Sequence, residues 1–334
     1  RAGFPAPHVV ARQGDPDPDF PTVAKPNPEE PGTLDLALAD ARALGADLLL
    51  ANDPDADRLA VAIPSPRHPD GWRTLTGDEL GALLGDHLLT RTADPCHSLA
   101  VTTVVSSSLL RDLATAAGAQ YAETLTGFKW IVRAAVEGRR HRFVFGYEEA
   151  LGYAVNDLVR DKDGISAALV VAAMAAEAKH QGLTLADRLD DIARRFGLHI
   201  TEQLSVELPA EGGPRPIDQI MAGLRASPPA DLLGYTVDEI DDMAAGVRRF
   251  ADGRQEPLGL PRSDVLLWRS RQHARVVIRP SGTEPKLKIY LEVVRAPGDG
   301  RDLAATTVDA TRDLDRLRDQ LRPALDLPVR SPER

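Results

Sequence analysis

Asp53-Pro54-Asp55-Ala56-Asp57-Arg58 concentrates more chemistry than any other stretch of the 334-residue chain. Three carboxylates at alternate positions follow the apolar run 47–51 and precede a second one, 59–63, which predicts a tight loop between two buried strands. Like charges this close repel strongly unless a cation neutralises them, and carboxylate oxygens suit a hard divalent ion such as Mg²⁺ better than zinc. Arg58, beside the triad, could hold a substrate phosphate close to that metal. An EF-hand also begins with alternating Asp, but it needs Gly at loop position six and Glu at twelve, where this chain has Arg58 and Pro64. Two other readings stay open from these residues alone: a phosphatase whose aspartate nucleophile is Asp53 or Asp55, and a solvated acidic turn.

Four further stretches look too specific to be solvated loops. Residues 124–129 offer Thr126, Gly127 and Lys129, or else a plain strand-to-helix turn. Residues 146–152 place Glu148 and Glu149 in a glycine-bounded loop after a strand, where a carboxylate can accept paired hydrogen bonds from adjacent sugar hydroxyls. The plain alternative is a helix start whose acids favour the dipole. In Arg160-Asp161-Lys162-Asp163-Gly164, Lys162 could donate or withdraw a proton or bind phosphate, or the run is a solvated helix start. Residues 279–288 combine Arg279, Ser281, Gly282, Thr283 and Lys288 between two strand-like segments, where exposed backbone N–H groups around Ser281 to Thr283 could encircle a phosphate. A hairpin turn is the alternative, and a Walker P-loop is absent.

The elements that must position these residues can be read in outline. Residues 1–32 are rich in Pro and Asp and predict a loop-dominated segment. Helical spacing over 33–44 leads into the strand before the acidic loop. The polar connector 64–73, with three prolines and one glycine, predicts a domain boundary. A helix follows from about residue 76 to 89, with Thr76 or Asp78 as cap. A strand over 99–105, a helix over 108–117, a strand at 143–145 and an Ala-rich helix over 165–179 continue the alternation, which implies a mainly parallel sheet with helices on its faces. Beyond Phe196, Gly, Pro and polar residues cluster at 210–230 and 251–263, strand patterns run over 264–269 and 274–294, and a helix closes the chain over 304–321. Three domains are expected: 1–68, 69–199 and an α+β domain over 200–334.

Composition sets limits. With 43% hydrophobic and 27% charged residues the chain can bury substantial cores, and a net charge of −10 disfavours general nucleic-acid or anionic-membrane binding, so a phosphate site must be a local basic patch. The single cysteine, Cys96, excludes an intramolecular disulfide and fits a reducing cytoplasm, and no apolar run reaches membrane-spanning length.

The ordered set DPDADR (53–58), TGDELGALLG (76–85), TLTGFKW (124–130), FGYEEALGY (145–153), DKDGISAA (161–168) and RPSGTEPKLKIY (279–290) resembles the α-D-phosphohexomutase family, of phosphomannomutase and phosphoglucomutase type. GFKW and GYEEALG lean toward the branch that includes phosphopentomutases. The resemblance implies mixed α/β domains with a C-terminal α+β domain, and an enzyme that moves phosphate between the C1 and C6 hydroxyls of a sugar through a bisphosphate intermediate and a phosphoserine. It implies Asp53, Asp55 and Asp57 as Mg²⁺ ligands with Arg58 beside them, Glu148 on the sugar hydroxyls, and Lys162 in proton transfer or substrate binding. At Ala150 some relatives carry serine, so one hydroxyl contact is absent here. Arg279, Ser281, Gly282 and Thr283 match the grip on the non-reacting phosphate, with Lys288 near a position often held by Arg. The family's phosphoserine segment, resembling T-A-S-H-N-P, does not occur in this sequence, and Ser106-Ser107-Ser108 lacks its context. The expectation is an N-terminally truncated chain with negligible mutase activity; a phosphopentomutase and a non-catalytic sugar-phosphate-binding protein are the alternatives.

Overall fold

The computed structural model describes residues 3–325 except 67, 139, 208–216, 272, 283–284 and 297–301. It divides into two compact units, Arg1–Asp191 and Ile192–Arg334.

In the first unit, described residues up to 34 form turns without helix or strand. Helix α1 (Asp35–Leu44) ends at Gly45, and its buried Ala41 packs with Leu49, Ala62 and Trp72. Strands β1 (Leu49–Asn52) and β2 (Leu59–Pro64) pair antiparallel, with Asn52 opposite Leu59, so the acidic stretch is the loop of a hairpin. Strand β3 (Trp72–Thr74) pairs with the other edge of β2, Ala62 opposite Thr74. The connector at 64–73 is therefore a second hairpin loop, closed by Ser65 N–H donating to Gly71 O, and a domain limit at 68/69 would cut a paired ladder. Connections this short cannot cross over, which makes this three-stranded sheet antiparallel rather than parallel.

Helix α2 (Gly77–Leu89) starts at a capping box: Thr76 Oγ1 accepts the Glu79 N–H and the Glu79 carboxylate accepts the Thr76 N–H. The expected alternation follows as β4 (Ser98–Thr103), α3 (Leu109–Ala117), β5 (Gln120–Thr124), α4 (Phe128–Glu137), β6 (Arg142–Glu148) and β7 (Gly152–Ala154). The sheet order is β5-β4-β6-β7, parallel through β4, β5 and β6, with β7 turning back antiparallel on β6. Helices separate the parallel strands because parallel neighbours need a crossover. Helix α5 (Gly164–His180) is capped by the Asp163 carboxylate, which accepts from Ile165 N and Ser166 N. Helix α6 (Leu185–Phe196) runs across the division between the units.

The second unit is built on β8 (Leu198–Glu207), α7 (Ile217–Ala226), the short pair β9 (Asp231–Leu232) and β10 (Tyr235–Thr236), then β11 (Glu239–Asp242), β12 (Val247–Phe250), β13 (Gln255–Pro257), β14 (Leu266–Ser270), β15 (Ala274–Pro280), β16 (Lys286–Arg295) and α8 (Leu303–Leu325). Seven strands form one antiparallel sheet in the order β13-β12-β11-β14-β15-β16-β8. Alternate residues such as Trp268, Val276, Ile278, Ile289 and Leu291 share a core with Met221 and Leu317 of α7 and α8. A limit at 199/200 would split β8, whose pairing with β16 begins at Leu198.

Candidate functional site

The acidic loop is tied down at its base. Asn52 Nδ2 donates to Arg58 O at 2.7 Å and Ala56 N–H to Asp53 O at 2.9 Å. Asp53 is buried, its carboxylate accepting from Arg58 N (3.1 Å) and Arg58 Nε (2.9 Å). Burial raises the Asp53 pKa, but these bonds and the guanidinium charge outweigh it and hold the carboxyl below the ordinary carboxylate range. Arg58 Nη1 also donates to Asn27 Oδ1 at 3.0 Å and lies 3.8 Å from Glu29 Oε2. Asp57 Oδ2 is 3.1 Å from Lys162 Nζ, which equally contacts Asp161 Oδ1, while Asp55 is exposed.

Two backbone connections bring distant sequence to this loop. Gly164 N–H donates to Ala56 O at 3.0 Å, seating the start of α5 against it. A Cβ on Gly164 would stand 2.4 Å from both Arg58 O and Asn52 Nδ2, so only glycine allows that approach. Leu59 N–H donates to Leu151 O at 3.0 Å, and Arg58 bridges antiparallel to Gly152, which joins the acidic loop to the turn between β6 and β7. Glu148, the last residue of β6, accepts the Gly127 N–H on Oε1 at 2.7 Å. Gly127 holds φ +108, a conformation that side chains avoid, and this aims its N–H at Glu148.

Asp53, Asp57, Arg58, Gly127, Glu148 and Lys162 thus form one connected set, with Ala150 half-buried in the joined turn and Thr126 half-buried before α4. Lys129 is exposed on α4, its ammonium 5.7 Å from the Trp130 ring. Burial lowers the Lys162 pKa, but hydrogen bonds and charge from Asp161 and Asp57 outweigh it and push it above the ordinary lysine value. The ammonium form can bind phosphate or donate a proton.

Arg58 and Lys162 each already balance one Asp of the acidic loop. The carboxylate oxygens of Asp53, Asp55 and Asp57 do not all gather within 4.8 Å; among the described residues only Asp94, Cys96 and His97 do so, in an exposed turn explained by its own hydrogen bonds. Even so, Asp53, Asp55, Asp57, Asp161 and Glu29 outnumber the two cations, and every donor is an oxygen, so the residues fit a hard divalent ion in charge and chemistry.

In the second unit, Arg279 pairs in register with Lys288 near the turn of the β15–β16 hairpin. Its Nη2 donates to Tyr290 OH at 3.1 Å and its Nη1 to Pro280 O at 3.2 Å, while Nε is buried without a hydrogen-bond partner. The Ser281 N–H does not face a ligand as expected: it donates to Lys286 O at 2.8 Å, closing the hairpin. Gly282 is exposed, and Thr283 lies outside the described residues.

Sequence reading assigned no role to Asn52, which ties the loop from within, to Asn27 and Gly164, whose roles rest on long-range contacts without a local pattern, or to the buried set around Asp78. The Asp78 Oδ1 accepts Ser107 N–H at 2.7 Å and Tyr147 OH at 2.9 Å.

Comparison with known proteins finds three domain descriptions in chain order. "Phosphoglucomutase/phosphomannomutase, alpha/beta/alpha domain II" matches residues 1–65, "alpha/beta/alpha domain III" residues 76–196 and the "C-terminal domain" residues 268–310. The chain is 42% identical over 293 residues to the "Probable phosphomannomutase" of Haemophilus influenzae, covering 87% of this chain and 55% of that protein. It is 37% identical over 309 residues to the "Phosphopentomutase" of Mus musculus, covering 88% and 49%. Among solved structures, the open form of the Paramecium protein pp63/parafusin (phosphoglucomutase) matches with a TM-score of 0.64 at 17% identity, over 90% of this chain and 50% of that one, a likeness of fold. The chain spans about half the length of the curated relatives it matches.

Proposed function

Because the chain belongs to the phosphoglucomutase/phosphomannomutase group of α-D-phosphohexomutases, we propose that it serves a reaction in which phosphate moves between the C1 and C6 hydroxyls of a hexose through a sugar bisphosphate. Asp57 and Lys162, 3.1 Å apart beside the Arg58–Gly152 pairing, carry this proposal: a carboxylate loop, two cations and the sugar-hydroxyl acceptor Glu148 share one backbone frame. Phosphoryl transfer needs positioning and charge neutralisation more than covalent help, and these residues supply both. Arg58 and Lys162 hold phosphoryl oxygens. Glu148 trades the Gly127 N–H for sugar hydroxyls, and Thr126 and Lys129 flank it, with Ala150 offering no hydroxyl. Arg279, Ser281, Gly282, Thr283 and Lys288 hold the second phosphate. Asp53, Asp55 and Asp57 would hold Mg²⁺, which when bound neutralises charge on the transferring group. Three domains are proposed, with limits moved to the ends of paired strands: 1–74, 75–197 and 198–334. A cytoplasmic location accompanies the assignment; no helix among the described residues is long and apolar enough to cross a membrane.

No serine of the sequence stands in a T-A-S-H-N-P context, so these 334 residues are expected to bind phosphosugar without turning it over. Incubation with mannose or glucose 1-phosphate, Mg²⁺ and a bisphosphate activator, scoring isomerised sugar, free phosphate and binding together, tests this. Binding that weakens in Arg279→Ala, without product, is the expected result. Turnover at ordinary enzyme rates overturns the inactivity of the chain, Asp53-dependent release of phosphate favours a phosphatase, and absence of binding overturns the assignment. The likeness to the mouse phosphopentomutase favours a second reading with pentose phosphates, which the same assay separates by substrate.

A further inference from the structure

Two acids sit side by side where β6 ends and its turn begins, and only Glu148 has a role so far. Glu149 faces the other way. Its Oε2 lies 3.1 Å from Ser106 Oγ and 3.4 Å from Thr103 Oγ1, and those two buried hydroxyls are 2.9 Å apart. Ser106 Oγ also accepts the Glu149 N–H at 3.2 Å, so one hydroxyl fixes both the backbone and the carboxyl of this residue. On the other side the turn lies against the start of α2, where a Cβ on Gly77 would stand 1.8 Å from Glu149 O.

The charges that act most strongly on Glu149 are negative. Asp78 of α2 and Glu148 of β6 repel its carboxylate, the buried Tyr153 of β7 is the other titratable neighbour, and among the described residues no ion pair reaches it. Asp78 is compensated by the Ser107 N–H and the Tyr147 hydroxyl. Asp78 is buried and Glu149 half-buried; where two such carboxyls share a site and one is compensated, the other keeps its proton more readily.

We propose that Glu149 is a positioning residue of the sugar loop that works in its protonated form. Neutral, it completes a ring with Ser106 and Thr103 in which each oxygen can donate to the next, and this holds Glu148 on the Gly127 N–H. Ionised, it confronts Asp78 and Glu148 without a cation and loosens the turn. Burial, with the charges of Asp78 and Glu148 adding to it, pushes the Glu149 pKa up to about 7, which places the change near neutrality. The proposal deepens the phosphosugar reading and rests on it for its consequence.

The test follows amide exchange at Gly127 in the whole chain from pH 5.5 to 8.5, corrected for the intrinsic base-catalysed rate, in wild type and in Glu149→Gln, which keeps the neutral shape. Protection in wild type is expected to fall about tenfold across the interval, the equivalent of one pKa unit of coupling, and to stay level in Glu149→Gln. Ser106→Ala, which removes a donor to the carboxylate, is expected to move the wild-type transition to higher pH. Binding of glucose 1-phosphate is titrated in parallel, and the ratio of wild type to Glu149→Gln cancels the ligand's own ionisation. Identical exchange profiles in the two proteins, or a Ser106→Ala transition that stays or moves down, overturn the proposal. The expected exchange profiles without any binding of glucose 1-phosphate leave Glu149's role standing and overturn the phosphosugar reading.

Discussion

Asp53 engages Arg58 through backbone and side chain at once, and only 4% of its side chain is exposed. Arg58→Ala therefore leaves a buried carboxylate alone and is expected to cost about 3 kcal/mol at pH 7, read from the urea midpoint. The folded Asp53 pKa is depressed, so the pair stabilises above the ordinary value of 3.8 and that stability is lost as pH falls through the lower folded value. The penalty should fade in acid; one that persists unchanged there argues against the pair. Glu149 has the opposite sign. Its folded pKa, about 7 against 4.5, means the charged form costs nothing below about pH 4.5 and its full amount above about 7. Glu149→Gln should unfold later than wild type at pH 8, by up to about 3 kcal/mol, and equally at pH 4.5. The alternation of Asp53, Asp55 and Asp57 was legible because period two and charge survive in a linear string. Glu149 was not, since nothing in the letters separates it from Glu148; only the direction each takes from the turn does.

At the scale of elements, two short pieces of backbone set the site. The capping box at the start of α2 orients the helix whose Asp78 and Gly77 meet the sugar loop, and Thr76→Ala should lower stability by about 1 kcal/mol in thermal or urea unfolding. Gly164 joins α5 to the acidic loop; in Gly164→Ala the Asn52–Arg58 hydrogen bond has to yield, at an expected cost of about 2 kcal/mol by the same measurement. An unchanged midpoint would mean that the loop shifts freely. Helices were readable from spacing and caps, as with the Asp163 cap of α5. The 64–73 stretch falls at the gap between two matched domains and is also a hairpin loop; Pro, Gly and polar residues serve both, so only the pairing of Ala62 with Thr74 reveals the hairpin. The Ser281 N–H failed for a related reason: a hairpin closes itself with the donors a phosphate would have used.

For the whole molecule, an overall charge of −10 repels phosphate at long range, so affinity has to come from the few cations gathered around acids. Mg²⁺ is expected to raise the melting temperature by mass action, about 2.7 kcal/mol at a hundredfold excess over its dissociation constant, and chelation should reverse it. Asp55 is exposed, so Asp55→Asn should leave the metal-free melting temperature in place while shrinking the Mg²⁺ shift; a full shift in this variant argues against Asp55 as a ligand. Leu59 and Leu151 meet although about ninety residues separate them, and such a contact has to close a long loop before it gains anything. Assembly of the first unit is expected to proceed from its local hairpins and helices toward this late suture. A partly folded chain can own every strand and helix and still be blind to a ligand, so under the proposed function phosphosugar capture would be a readout of completed folding.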